Sequence, residues 1–97
     1  MKITVVTAEN GKQIAIGDWK RQTSKWWLRH AWEGGSSVLA VNIHAEMETR
    51  NGDLTIVYSW GLPGDEGFRA MGTEDTLEAA KAAAMRRFLG PNAELTP

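Results

Sequence analysis

The chain has 97 residues, with eleven basic and twelve acidic side chains, a formal net charge of -1, 42% hydrophobic residues and no cysteine. That length supports one core and no second domain, with about 60–65% of the unfolded surface buried. The missing cysteines exclude disulfides, thiolate zinc sites, iron–sulfur clusters and cysteine nucleophiles, and the near-neutral balance lacks the basic field of a dedicated nucleic-acid binder.

Asn10-Gly11 is the first turn signal. As a two-residue type I′ turn it predicts a hairpin over residues 2–8 and 12–19, with Glu9 opposite Lys12, Val5 opposite Ile16 and Val6 opposite Ala15. Both faces of that hairpin are then partly apolar. The stretch GDWKRQTSK, residues 17–25, reads as a polar connector that brings Lys20, Arg21 and Lys25 close to Trp19.

Residues 25–32, KWWLRHAW, hold three of the five tryptophans. The following EGGSS is a loop by composition. A four-residue turn over 34–37 sets Trp32 opposite Leu39, His30 opposite Val41, Leu28 opposite Ile43 and Trp26 opposite Ala45. Trp26, Leu28 and Trp32 then join the core face, and Trp27 lies on the polar face with Lys25, Arg29 and Glu33.

Asn51-Gly52 predicts a second hairpin, bracketed by Arg50 and Asp53, with Thr49 opposite Leu54, Met47 opposite Ile56, Ala45 opposite Tyr58 and Ile43 opposite Trp60. Leu39, Val41, Ile43, Ala45 and Met47 form an apolar face, and Ala40, Asn42, His44, Glu46 and Glu48 a solvated one. GLPGDEG after Trp60 reads as a turn, since Asp65 and Glu66 would repel a phosphate. A short extended piece, Phe68 to Met71, follows. Asp75 as N-cap with Glu78 three residues on opens a helix over about 75–89 with its stripe at Leu77, Ala80, Ala84, Met85 and Phe88. Arg86 and Arg87 suit the last turn, Gly90-Pro91 ends the helix, and residues 91–97 form a tail. The expected fold is α+β: an antiparallel sheet of about five to six strands with one C-terminal helix packed on one face.

Residues 60–80, WGLPGDEGFRAMGTEDTLEAA, resemble the signature stretch of the WGR domain, with Trp60, Gly61, Gly64, Gly67, Asp75, Thr76, Glu78, Ala79 and Ala80 at matching spacing. The likeness spans residues 42–89, and Leu62 stands where the family has its defining arginine. The resemblance implies a small α+β module of the kind found in some poly(ADP-ribose) polymerases and bacterial proteins, which binds nucleic acid or neighbouring domains. Of the family's contact residues, only Trp60 carries over.

The predicted register gathers Trp27, His44 and Ser59, sets Arg29 beside Asn42, and sets Lys25 beside Glu46 and Val57. An indole flanked by a guanidinium, an amide and an imidazole suits hot-spot contacts with protein. The expected function is therefore a small non-catalytic binding protein of adaptor, accessory or inhibitor type, acting through Trp27, Arg29, Asn42, His44, Lys25 and Glu46, with a homodimer as a further expectation. No enzyme activity is expected, because His44, Ser59 and Glu46 on a flat sheet lack a strained serine and an oxyanion site. No cofactor or metal is expected either, since His30 and His44 fall on opposite faces. One alternative is a nucleic-acid-binding module using Lys20, Arg21, Lys25, Arg29, Arg86 and Arg87. Another is a small-ligand pocket between helix and sheet, lined by Trp26, Tyr58, Trp60 and Phe88. No apolar run long enough to span a membrane occurs, and MKITVVTAEN does not read as a signal peptide, so a cytoplasmic location without membrane contact is expected.

Overall fold

A computed structural model describes residues 4–7, 11–33, 36–64 and 67–90. The elements run β1 (Thr4–Thr7), β2 (Gln13–Ile16), β3 (Lys20–Thr23), β4 (Trp26–Glu33), β5 (Ser36–Arg50), β6 (Asp53–Gly64), β7 (Gly67–Glu74) and α1 (Leu77–Leu89). The strands form one sheet in the order β1-β2-β4-β5-β6-β7, and β3 also pairs with β4. Every pairing is antiparallel. The protein is thus the expected α+β fold, a hairpin-built antiparallel sheet with a C-terminal helix on one face.

The strand beyond the expected count is β3, which lies within the segment read as a polar connector. β2 and β3 lie one after the other along the same edge of β4: Ala15 and Ile16 pair with Trp32 and Ala31, and Lys20 and Arg21 pair with Leu28 and Trp27. An exposed, polar strand at a sheet edge carries no period-2 apolar signal, and β3 is exposed throughout.

In the first hairpin Val5 pairs with Ala15 and Val6 with Ile14, one residue away from the expected register. The reason is apolar sorting. The observed register gathers Val6, Ile14 and Ile16 into the core and leaves Val5 outside it, whereas the two-residue turn would have divided them between faces. Asn10 and Glu9 lie outside the described residues.

The second hairpin has the expected register at all four rows, from Thr49↔Leu54 to Ile43↔Trp60. Asn51 and Gly52 take φ of 51° and 84°, the left-handed pair that a type I′ turn requires. Beyond Trp60 the GLPGDEG segment is not a simple turn: β6 continues to Gly64 and pairs with β7 after a bulge between Trp60 and Gly61. Gly72, opposite Trp60, is where the sheet needs a glycine, because a Cβ there would sit 2.6 Å from the indole.

The helix cap falls one residue later than expected. Thr76 is the N-cap, its hydroxyl accepting from the Ala79 N–H at 3.1 Å, while Asp75 takes the Arg50 guanidinium at 2.6 Å. Gly90, at φ 101°, closes the other end through its N–H to Arg86 O. Ala80, Ala84, Met85 and Leu89 form the buried stripe, with Met85 and Leu89 joining Val6, Ile14, Ile16, Ala31 and Val41 in the core.

Length decides where that core stops. Thirteen helical residues span about 20 Å, whereas the fifteen residues of β5 span about 50 Å. Because α1 starts after β7, which ends opposite Tyr58, and lies against β6, β5 and β7, it covers the base of the β5–β6 hairpin. The distal part, from Ala45 to the turn and back to Tyr58, extends past the helix.

Candidate functional site

Directly paired residues of an antiparallel sheet share a face, so register assigns each predicted site residue. The expected β4–β5 register is corrected by one residue in the half that matters. Trp26 pairs with His44, Trp27 with Ile43, Leu28 with Asn42 and Arg29 with Val41, and a register shift follows between Arg29 and His30. Trp27 and Arg29 therefore lie on the helix side, whereas Asn42 and His44 lie on the opposite side with Trp26 and Ser59. The surface expected around Trp27, Arg29, Asn42 and His44 is divided between two faces.

On the side away from the helix, Asn42 is buried rather than solvated, as are Ser59, Leu28 and Val57. The Asn42 Oδ1 accepts from the Trp26 indole N–H at 2.9 Å, and Trp26 stacks on His44 with ring centroids 5.7 Å apart. These residues hold one another and serve packing.

On the helix side, Arg29 is also engaged. Its Nε donates to Gly17 O at 2.6 Å and its guanidinium lies over Trp19, which Lys81 of α1 approaches as well. Burial lowers the Arg29 pKa, with the field of Asp18 acting in the other direction. Arg29 thus ties β4 to the Gly17–Trp19 segment that follows β2.

Trp27 and the edge residues Lys25 and Glu46 come together in an open concavity of about 380 Å³. Tyr58 meets the Trp27 ring edge-on at 5.9 Å, and Arg21 lies over the Trp27 ring at 5.7 Å while bonding the carbonyls of Thr23 and Ser24. Ala45, Met47 and Ile56 form the rest of the wall along the ribbon. Met47 is 60% exposed, Ile56 52% and Leu54 71%. All three lie on the side that carries Trp27, beyond the end of the helix.

Sequence reasoning missed Met47, Leu54 and Ile56 as surface residues: it assigned Met47 to the apolar face and gave Leu54 and Ile56 only as its neighbours in the hairpin. The signal was present, since an alternating strand pair of this length cannot be covered by one helix of thirteen residues. The six cations of the nucleic-acid alternative do not converge. Lys20 pairs with Leu28 on the far side, Arg29 is engaged, and Arg86 and Arg87 lie exposed in the last turn of the helix, leaving Arg21 and Lys25 beside Trp27. Of the expected pocket residues, only Tyr58 lines the concavity: Trp26 faces away, and Trp60 and Phe88 pack against the core. Among the described residues no group of three or more His, Asp or Glu is placed to hold a metal ion, and no helix is long and apolar enough to cross a membrane.

Comparison with known proteins finds no matching family model, no matching curated protein and no matching solved structure. The site's chemistry is therefore read from its geometry.

Proposed function

We propose that the chain is a non-catalytic protein-binding module whose docking surface is the helix-free end of the sheet. The observation that carries this reading is the contiguous exposure of Met47, Leu54 and Ile56 beside the Trp27–Tyr58 concavity. Soluble monomers rarely expose contiguous apolar patches of this kind outside interaction sites. An aromatic-floored recess with Arg21 and Lys25 on its rim has the composition of an interface core with a polar border. Nucleic acid is the second reading, carried by Arg21 and Lys25 beside the Trp27 and Tyr58 rings, since bases stack on such rings. The large apolar share of the surface favours protein.

The test is selection of a displayed random-peptide library on the immobilised chain, with binding then measured on Ile56→Lys and Tyr58→Ala. Peptides that lose about tenfold or more in affinity on both variants support the reading. Peptides indifferent to both substitutions, or an empty selection alongside oligonucleotide binding that weakens steeply with salt, would overturn it.

A further inference from the structure

We infer that the occupant of this surface is a second copy of the chain, the two ribbons packing face to face and head to tail about a two-fold axis. The inference rests on the docking reading above and adds the partner and its orientation.

A two-stranded ribbon standing alone in water is marginal. Here the ribbon from Ala45 to Tyr58 carries three large apolar side chains on one face. The rows on that face are Thr49 with Leu54, Met47 with Ile56, and Ala45 with Tyr58. They are complementary to themselves by rotation. A two-fold axis through the central row sets Met47 and Ile56 against their own counterparts, and it sets the Thr49–Leu54 row over the partner's Ala45–Tyr58 row. Leu54, the most exposed of the three apolar ribbon side chains, then meets the mouth of the Trp27–Tyr58 recess, while the small Ala45 receives Thr49.

Two further features select the head-to-tail arrangement. The helix stands about 10 Å above the sheet at the base of the ribbon, so two ribbons pointing the same way would collide helix on helix. Charge gives the same orientation. Glu48 and Asp53 outnumber Arg50 towards the tip, and Arg50 is already engaged by Glu48 and Asp75. At the base, Arg21 and Lys25 outnumber Glu46 around the recess, and the Lys25 carbonyl accepts the Ala45 N–H at 2.9 Å. Head-to-tail packing lays an acidic tip along a basic base twice, once at each end.

The experiment uses the full chain at concentrations up to the millimolar range, with mass read by sedimentation equilibrium. A dimer is expected in the parent chain, and Ile56→Lys, which doubles its charge at the axis, is expected to raise the dimer dissociation constant about a hundredfold or more. The chain contains no cysteine, so single cysteines report orientation through a bis-maleimide spanning the roughly 10 Å between packed sheets. Met47→Cys and Ile56→Cys should each cross-link to themselves. Leu54→Cys should cross-link to Tyr58→Cys in a mixture faster than to itself, an order that a same-direction packing would reverse. A dimer that survives Ile56→Lys, or a reversed cross-linking order, overturns the inference. A chain that stays monomeric while selected peptides still depend on Ile56 and Tyr58 also overturns it and leaves the docking reading standing. A monomer with no such peptides overturns both.

Discussion

The packing of the Trp60 indole over Gly72 provides a quantitative test of how β6 and β7 are joined. A Cβ added at Gly72 would lie 2.6 Å from Trp60 Cζ2 and 2.7 Å from Cε2 and Nε1. Gly72 is not one of the positive-φ glycines, so the effect of Gly72→Ala is steric rather than conformational. The indole is not a flexible tip that can swing aside. It packs against the core and donates from Nε1 to Glu74 Oε2 at 3.3 Å, so a shift of several tenths of an ångström disturbs both. Overpacking of this kind destabilises by about 1–3 kcal/mol, and the long hydrogen bond adds about 0.5 kcal/mol at most. The reduced freedom of the unfolded alanine chain offsets about 0.4–1 kcal/mol. The net expectation is a loss of about 0.5–3 kcal/mol, or a fall in Tm of about 4–8 °C for each kcal/mol. Urea unfolding followed by tryptophan fluorescence measures it, and a cycle with Trp60→Leu isolates the cause. In the Trp60→Leu background, Gly72→Ala should be neutral or mildly stabilising. A loss below about 0.5 kcal/mol in the parent chain, or an equal loss in both backgrounds, would refute the reasoning.

Other substitutions separate folding from docking. Leu54→Thr and Met47→Thr should each change stability by less than about 0.5 kcal/mol, whereas Ile43→Ala, fully buried one pleat row from Val41, should lose about 2–5 kcal/mol in the same urea titration. Asn42→Ala removes the acceptor of the Trp26 indole N–H and should destabilise by about 1–3 kcal/mol, with the near-ultraviolet circular dichroism of Trp26 altered before unfolding begins. Thr76→Ala should lose about 1 kcal/mol of thermal stability through the lost cap on Ala79 N–H; an equal stability after this change would show that the helix starts elsewhere.

The architecture was legible because its strongest signals are local. Asn51-Gly52 is short, and residue type alone dictates its left-handed φ angles, so the register of β5 with β6 follows by counting outward. The capped alanine-rich helix is similarly self-contained, and its start was displaced by a single residue because Asp75 and Thr76 are both competent caps and Arg50, distant in sequence, draws Asp75 away. The site failed for the opposite reason. In β4, tryptophans at 26, 27 and 32 place an apolar ring on either face, so polarity matching cannot tell one register from the next. Glu33 pairs with Ser36 rather than across the expected four-residue turn, and the shift between Arg29 and His30 then changes the count again. One residue of slip exchanges the neighbours of Trp27 from His44 and Ser59 to Ile43 and Tyr58. Its surroundings thereby change from a polar face to the floor of an apolar recess. Trp27 thus lies on a different face from the one expected, near the ribbon residues Met47 and Ile56 in place of Asn42 and His44, and the length of β5 relative to α1 leaves that face open.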